Sequence, residues 1–158
     1  MRKSLRLGQV GRGFAFLLAI LLGWNSSSAR PQNTSLDIAR AWVERLSATM
    51  QQQASPSDVD RLLDLYADDA VYEHPHANAR IQGKQDIRKG ISSHLGETRS
   101  PRIEITQTLA GEDFAVIELA VAFELHQAEK WLPLQRRQVV VLEFKHSRIQ
   151  RIIDHWGR

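Results

Sequence analysis

The segment from Leu62 to His94 reads LLDLYADDAVYEHPHANARIQGKQDIRKGISSH and contains the most informative local patterns of the chain. Ala70 to His74 is predicted to be extended, because a residue that precedes a proline is disfavoured in the helical region. Asn78 to Gln82 can pair back with it as a short hairpin, and the residues after Gly83 have helical spacing. The segment therefore predicts the end of one helix, a hairpin and a further helix.

Two amphipathic helices are predicted upstream of this segment. Ser35 can cap the first, and Pro56 ends the stretch that follows it. Ser57 then opens a second helix, with Asp60 three residues later in a capping-box-like pattern. The apolar positions of the two helices recur every three or four residues: Leu36, Ala39, Trp42, Val43, Leu46 and Met50, then Val59, Leu62, Leu63 and Tyr66.

Downstream, the apolar pattern changes to a period of two, which is typical of strands. Four long strands are predicted, beginning near Arg102, Phe114, Trp131 and Arg148. The element order predicts an α+β domain over residues 35–158, in which a curved four- to six-stranded antiparallel sheet wraps around three N-terminal helices. A strongly twisted sheet of this kind leaves a cone whose wide end is hard to fill, so a pocket is expected there.

The first 29 residues have the pattern of a secretory signal. Phe14 to Trp24 is an uninterrupted apolar run after a basic start, and small residues at Ser27 and Ala29 predict cleavage after Ala29. The alternative is an uncleaved anchor, but a bilayer needs about 20 apolar residues. We therefore predict a Sec-type signal, a linker over residues 30–34, a periplasmic or secreted mature protein, and no stable membrane anchor after signal removal.

Charge and composition exclude several function classes. The first 29 residues carry four of the 21 basic side chains and none of the 18 acidic ones, so the remaining chain has a formal charge of −1. This balance argues against a nucleic-acid partner, which requires excess positive charge. The absence of cysteine excludes disulfides and thiolate chemistry. No Gly-rich phosphate loop or dinucleotide fingerprint appears, so no cofactor is predicted.

Several motifs resemble the NTF2-like superfamily, in particular its SnoaL-like and ketosteroid-isomerase-like branch. They are YADDAV at 66–71, the proline at 75, GKQDI at 83–87 and the closing strand RIQRIIDHW at 148–156. The resemblance covers roughly residues 35–156 and implies a fold more than an activity. The superfamily contains isomerases, polyketide cyclases, epoxide hydrolases, dehydratases and non-catalytic binding or assembly domains.

The resemblance also implies roles for individual residues. His74 stands where the ketosteroid isomerases have their general base, and a neutral imidazole can accept a proton. Trp42 aligns with their first-helix tyrosine, whereas their second oxyanion-holding position falls within Val139–Val141, which offers no side-chain donor. Asp154 is the nearest counterpart of the late acidic base of the polyketide cyclases.

The cluster Glu73-His74-Pro75-His76 is the densest group of titratable residues. One interpretation is an acid–base histidine at the pocket mouth, with His76 on the same side. A second is a pair of partly exposed histidines on a turn. A third is a metal site, which would require a third ligand from other elements; the candidates are Glu118, Glu124, His126, Asp154 and His155.

Asp154 and His155 are adjacent in the last strand and must face opposite sides of the sheet. Either one could point inward, and a buried carboxylate there could serve as an acid or a base. The candidate catalytic residues are thus His74, Asp154 and His155, and no metal ligand is assigned. The residues predicted to line the pocket are Trp42, Tyr66, Tyr72, His76, Phe123 and Trp156.

The polar residues of the long strands are expected on the outer face of the sheet. Glu118 and Glu124, Arg136 and Arg137, and the arginines between 148 and 151 belong to this group. In the resembling family this face is often a dimer surface, so a homodimer is a candidate assembly.

Two functions remain open on the sequence alone. The first is a domain that binds a small, largely apolar molecule and acts on it by cofactor-independent acid–base catalysis, as an isomerase, cyclase, dehydratase or hydrolase. The second is a non-catalytic ligand carrier or dimeric assembly module of the same fold.

Overall fold

The computed structural model describes residues 34–156. In chain order the elements are α1 (Ser35–Thr49), α2 (Pro56–Leu63), β1 (Tyr66–His74), a 3-10 turn (Pro75–Ala77), β2 (Ala79–Gln82), α3 (Lys84–Ser92), β3 (Thr98–Ala110), β4 (Phe114–Gln127), β5 (Lys130–Lys145) and β6 (Arg148–Trp156). The predicted signal sequence and nearly all of the linker lie outside these residues, so export stays a prediction. No helix within the described range has the length and hydrophobicity needed to cross a membrane.

The six strands form one sheet in the order β2-β1-β6-β5-β4-β3. Four of the neighbouring pairs are antiparallel. The fifth, between β1 and β6, is parallel. The predicted α+β fold with three helices and a curved sheet is confirmed, although the sheet is mixed rather than wholly antiparallel. Parallel strands need a long connection, and here the hairpin, α3 and the β3–β5 meander together supply it.

The core lies between the helices and one face of the sheet. Burial alternates along β4, where Ala115, Ile117, Leu119, Val121 and Phe123 are buried and the residues between them are not. Val140 and Leu142 of β5 and Ile149 and Ile152 of β6 continue this face. The helices cover it with Trp42, Val59 and Ile87, among others. This alternation fixes which side chains of each strand can reach the interior.

The capping residues of both N-terminal helices lie one or two positions before the predicted ones. Thr34, rather than Ser35, caps α1: its hydroxyl accepts from the Asp37 amide at 3.2 Å, and the Asp37 carboxylate accepts from the Thr34 amide at 3.1 Å. Ser55, rather than Ser57, caps α2 and donates to Asp58 at 2.8 Å. Pro56 therefore starts α2 instead of ending the preceding segment, because the first helical position does not need an amide hydrogen.

Candidate active site

A cavity of about 350 Å³ lies between the helices and the inner face of the sheet. Most of its wall is apolar or aromatic, and its polar groups converge from β1, β5 and β6. The lining residues are Trp42, Leu46, Met50, Leu62, Tyr66, Tyr72, His74, Ile81, Ile87, Gly90, Ile91, His94, Ile103, Val121, Arg136, Gln138, Asp154 and Trp156. A mostly apolar pocket with a few converging polar groups is typical of small-molecule sites.

Asp154 is the carboxylate of this wall, and its side chain is held by three donors. The residue is only 4% exposed. Its Oδ2 atom accepts from the Tyr72 hydroxyl at 2.9 Å and from the Trp156 indole at 2.9 Å. The amide nitrogen of Gln138 lies 2.7 Å from Oδ1 and 2.8 Å from Oδ2. Because an indole nitrogen can only donate, these oxygens act as acceptors, as those of an ionised carboxylate do.

His74 is oriented by the main-chain carbonyl group of Asp154. Its Nδ1 atom lies 2.9 Å from the Asp154 carbonyl oxygen, which can only accept, so Nδ1 carries a hydrogen. In the neutral imidazole, Nε2 is then the basic nitrogen. The ring also packs on Trp156, with 4.2 Å between the ring centroids. The carbonyl thus selects the tautomer that can accept a proton at Nε2.

Trp42 and Tyr66 form a buried donor pair on the helical side of the cavity. The indole Nε1 of Trp42 donates to the Tyr66 hydroxyl oxygen at 2.8 Å. Burial raises the pKa of Tyr66 well above its ordinary value, and the nearby negative charge of Asp154 acts in the same direction. Tyr66 therefore keeps its proton at neutral pH. No residue from 34 to 156 accepts that hydrogen, so it is available to a bound molecule.

Tyr72 supplies the hydroxyl that touches Asp154. Burial is the main cause of the raised pKa of this phenol, and the Asp154 charge and the hydrogen bond to it contribute further. A protonated phenol is the state that can donate to the carboxylate. The Tyr72 hydroxyl is therefore fixed as a donor to Asp154 across the neutral range.

Arg136 lies at the rim, with its guanidinium carbon 3.7 Å from the centroid of the Trp156 ring and 5.4 Å from that of Phe123. Burial lowers the pKa of this guanidinium, while the negative charge of Asp154 opposes that shift. Its Nε atom is enclosed and has no hydrogen-bond partner among the described residues. Sequence analysis placed Arg136 on the outer face, and this prediction is wrong.

Six of the nine predicted site residues line the cavity: Trp42, Tyr66, Tyr72, His74, Asp154 and Trp156. The choice left open between Asp154 and His155 resolves to Asp154. It shares the inner face with Ile152, whereas His155 is exposed and lies opposite Val139 on the outer face. His155 therefore does not reach the cavity.

His76 and Phe123 also lie outside the cavity wall. The strand ends at His74 and continues into the 3-10 turn, so the strand alternation that placed His76 beside His74 does not extend to it. Phe123 is 8% exposed and packs in the core below the Arg136 guanidinium. Both residues border the site without lining it.

The sequence analysis missed Gln138 and Arg136 as cavity residues. Both share the parity of the buried residues Val140 and Leu142 on β5, and this parity was the signal available in the sequence. The polar run QRRQ at 135–138 concealed it, because all four residues are hydrophilic. The register with β4 fixes the assignment, since Arg136 pairs with Val121 and Gln138 with Leu119.

The residues that the structure describes do not provide a set of ligands for the metal site considered from the sequence. The His76 ring centroid lies 6.5 Å from that of His74 and 6.3 Å from that of His155. Within residues 34–156, no group of three or more His, Asp or Glu side chains is placed to hold a metal ion.

The sequence profile of the SnoaL-like domain matches residues 39–152, which is most of the chain and includes most of the residues that line the cavity; Asp154 and Trp156 follow directly after the matched range. The chain belongs to the SnoaL-like domain family. No curated protein sequence matches it.

Solved structures resemble this SnoaL-like domain at low sequence identity. A hypothetical protein of Catenulispora acidiphila with a ketosteroid isomerase-like fold, in complex with trimethylamine, is 19% identical with a TM-score of 0.61, over 77% of this chain and 85% of that one. An LEH-like epoxide hydrolase of M. tuberculosis is 22% identical with a TM-score of 0.59, over 78% and 84%. A proposed SnoaL-like polyketide cyclase of Shewanella denitrificans is 14% identical with a TM-score of 0.66, over 78% and 90%. At these identities the likeness establishes the fold.

Proposed function

We propose that this SnoaL-like domain binds a small, largely apolar molecule in its cavity and acts on it as a cofactor-independent acid–base enzyme, with Asp154 as the general base. One observation carries the proposal: a buried carboxylate, held by Tyr72, Gln138 and Trp156, stands in an otherwise apolar cavity. Buried titratable groups that line a pocket are typical of catalytic sites.

The base requires a free acceptor position. Oδ2 of Asp154 already has three donors, whereas Oδ1 has only the Gln138 amide. A carboxylate oxygen can accept about two hydrogen bonds. Oδ1 is therefore the atom we assign to receive a proton, either from a carbon of the substrate or from a water molecule that attacks it.

The acid side of the reaction is assigned to Tyr66. Its hydroxyl hydrogen has no acceptor within the described range, and the indole of Trp42 donates to its oxygen. A hydrogen bond received by a hydroxyl strengthens the one it donates. Tyr66 would thus donate to a substrate oxygen on which negative charge develops, and Nε2 of His74 offers a second proton acceptor.

The reaction class is proton transfer that leads to isomerisation, cyclisation, dehydration or hydrolysis. The neighbouring structures include an epoxide hydrolase and a ketosteroid isomerase-like fold, which supports this range as an analogy. We expect the substrate to carry an oxygen atom within reach of Tyr66 and an apolar body that fills the Ile87 and Ile91 side of the cavity.

The test is activity of the wild type and Asp154→Asn on two substrate types: small cyclic ketones in D₂O, with α-hydrogen exchange followed by NMR, and small epoxides, with diol formation followed by chromatography. We expect wild-type activity on one type, and a loss of about 10²- to 10⁴-fold in the variant, the usual contribution of a general base. Asp69→Asn, a matched change at an exposed residue outside the cavity, should retain activity.

The carrier alternative predicts a different result. A ligand-induced rise in melting temperature that persists in Asp154→Asn, without turnover of either substrate type by the wild type, would contradict the catalytic assignment and support a carrier. His74→Ala belongs in the same series. If it changes neither ligand binding nor turnover, His74 has no role in the site.

A further inference from the structure

The rim of the cavity holds a cationic residue, Arg136, that forms no ion pair with any of residues 34–156. Six other arginines of the described residues, Arg61, Arg80, Arg88, Arg99, Arg137 and Arg151, each lie within 4.0 Å of a carboxylate oxygen. Arg136 forms no such pair and donates no hydrogen bond in this part of the chain, although it is partly buried. Of the described arginines without a carboxylate partner, Arg45 and Arg148 donate to backbone carbonyl oxygens, and Arg40 and Arg102 are exposed. Burying a charge is costly unless it is paired, so the partly buried Arg136, which has neither kind of contact, needs an explanation.

The carboxylate of the same cavity does not pair with Arg136. Asp154 lines the same cavity, but its oxygens are occupied by Tyr72, Gln138 and Trp156 rather than by Arg136. The Arg136 guanidinium instead lies over the Trp156 ring, with its central carbon 3.7 Å from the ring centroid, and this contact uses none of its N–H groups. A guanidinium with free terminal N–H groups is suited to bind a planar anion in a bidentate manner.

We propose that Arg136 binds a carboxylate group of the substrate, so that the natural ligand is a small apolar carboxylic acid in its ionised form. This inference rests on the proposed function, since it names the class of molecule that occupies the same cavity. The anion would lie at the rim against Arg136 and Trp156, and the apolar body would extend inward to residues such as Leu46 and Ile91.

With Arg136 at its rim, the cavity should prefer an ionised carboxylic acid to a neutral molecule of the same shape. The negative charge of Asp154 repels an anion, and Arg136 is the cationic residue of the wall that offsets it. Without Arg136, an acid should bind less well than a neutral molecule of the same shape. Removal of the Arg136 charge is therefore expected to lower the affinity for the acid until the neutral molecule binds equally well or better.

The test compares 4-phenylbutanoate with 4-phenylbutanamide, which have nearly the same shape and differ in charge, by isothermal titration calorimetry on the full chain at pH 7.5. We expect the wild type to bind the acid about tenfold more tightly or better, the usual effect of a charge-assisted bidentate contact. Arg136→Met should bring the ratio to one or below. Arg136→Gln, also neutral but polar, provides a second variant with the same expectation.

Arg137→Met is the matched control. It removes the same charge from the next residue, which is exposed on the outer face and paired with Glu118. The acid-to-amide ratio should stay at its wild-type value there. A wild-type ratio of one or below, or a preference that persists without Arg136, overturns this inference even if the amide binds and the proposed function stands. If neither compound binds the wild type, the proposed ligand class fails and this inference fails with it.

Discussion

Oδ2 of Asp154 receives hydrogens from residues far apart in the chain, the Tyr72 hydroxyl of β1 and the Trp156 indole of β6. Both groups are neutral donors, and the hydroxyl of Tyr72 remains so because burial keeps its proton in place. Each of these contacts is shorter than 3.0 Å, so the carboxylate is fixed in one orientation rather than left to rotate. A fixed base is what proton transfer from a bound substrate requires.

The two tyrosines are expected to ionise at a higher pH in the folded protein than in the unfolded chain. The chain contains two tyrosines, Tyr66 and Tyr72, and burial raises the pKa of both above the ordinary value of about 10. At pH 10.5 we expect almost no tyrosinate absorbance at 295 nm in the folded protein, and roughly three quarters of the full signal in 8 M urea. Tyr72→Phe should halve the signal in urea and leave the folded protein unchanged.

The sign of the effect on stability follows from the same shift. Below pH 10 both states keep the tyrosine protons, and the contribution to stability is fully present. Above pH 10 the unfolded chain releases protons that the folded state retains, so the free energy of unfolding falls as pH rises. A folded protein that titrates near pH 10 would show that these hydroxyls are accessible to water, and would contradict the donor roles assigned to them.

Residue chemistry was predictable from the sequence where hydrophobic alternation was clear. Asp154 follows the buried Ile152 by two positions, so an inward carboxylate was one of the two alternatives. Arg136 was misassigned because charged residues are rarely buried without a partner. A functional cation at a cavity rim is therefore the type of residue that composition-based reasoning assigns to the surface.

At the scale of elements, the N-terminus of α1 illustrates a boundary that sequence patterns leave ambiguous. Thr34 and Ser35 are adjacent hydroxyl residues, and either can cap a helix. In the folded protein Ser35 instead donates to the Glu112 carbonyl oxygen at 2.8 Å, a contact 77 positions away in sequence that no local pattern could reveal. The helix itself was predicted correctly from its apolar spacing.

This assignment of the cap is testable. Thr34→Ala removes the hydroxyl that accepts from the Asp37 amide, and should lower the free energy of unfolding by about 1 kcal/mol in urea titrations. Thr34→Ser keeps the hydroxyl and should stay close to the wild type. If both variants have wild-type stability, the reciprocal contacts between Thr34 and Asp37 do not stabilise α1.

At the scale of the whole molecule, the outer sheet face remains the candidate surface for a second copy of the chain. Val139 lies on this face and is 39% exposed, between Glu118 on β4 and His155 on β6. The Arg137–Glu118 and Arg151–Glu143 pairs surround it with charge that is locally balanced. An apolar centre with a polar rim is typical of protein–protein interfaces.

We expect sedimentation velocity to find a dimer of the protein at micromolar concentrations, and Val139→Glu to raise the dissociation constant of that dimer about tenfold or more. Leu132→Glu is the matched control, since Leu132 is also exposed and apolar but shares the face of Leu125 on the helical side. A monomeric wild type would contradict the homodimer.

The parallel pairing of β1 with β6 has a consequence for how the protein is made. The polar side of the cavity joins residues 72 and 74 to residues 154 and 156, so it is complete only after the last strand has been synthesised. Until the last strand emerges, β1 has no partner on that side, and the nascent polypeptide cannot join β1 and β2 to the rest of the sheet. A chain that terminates a few codons early would lack Asp154 and Trp156, and with them the carboxylate that Tyr72 and Gln138 contact in the cavity.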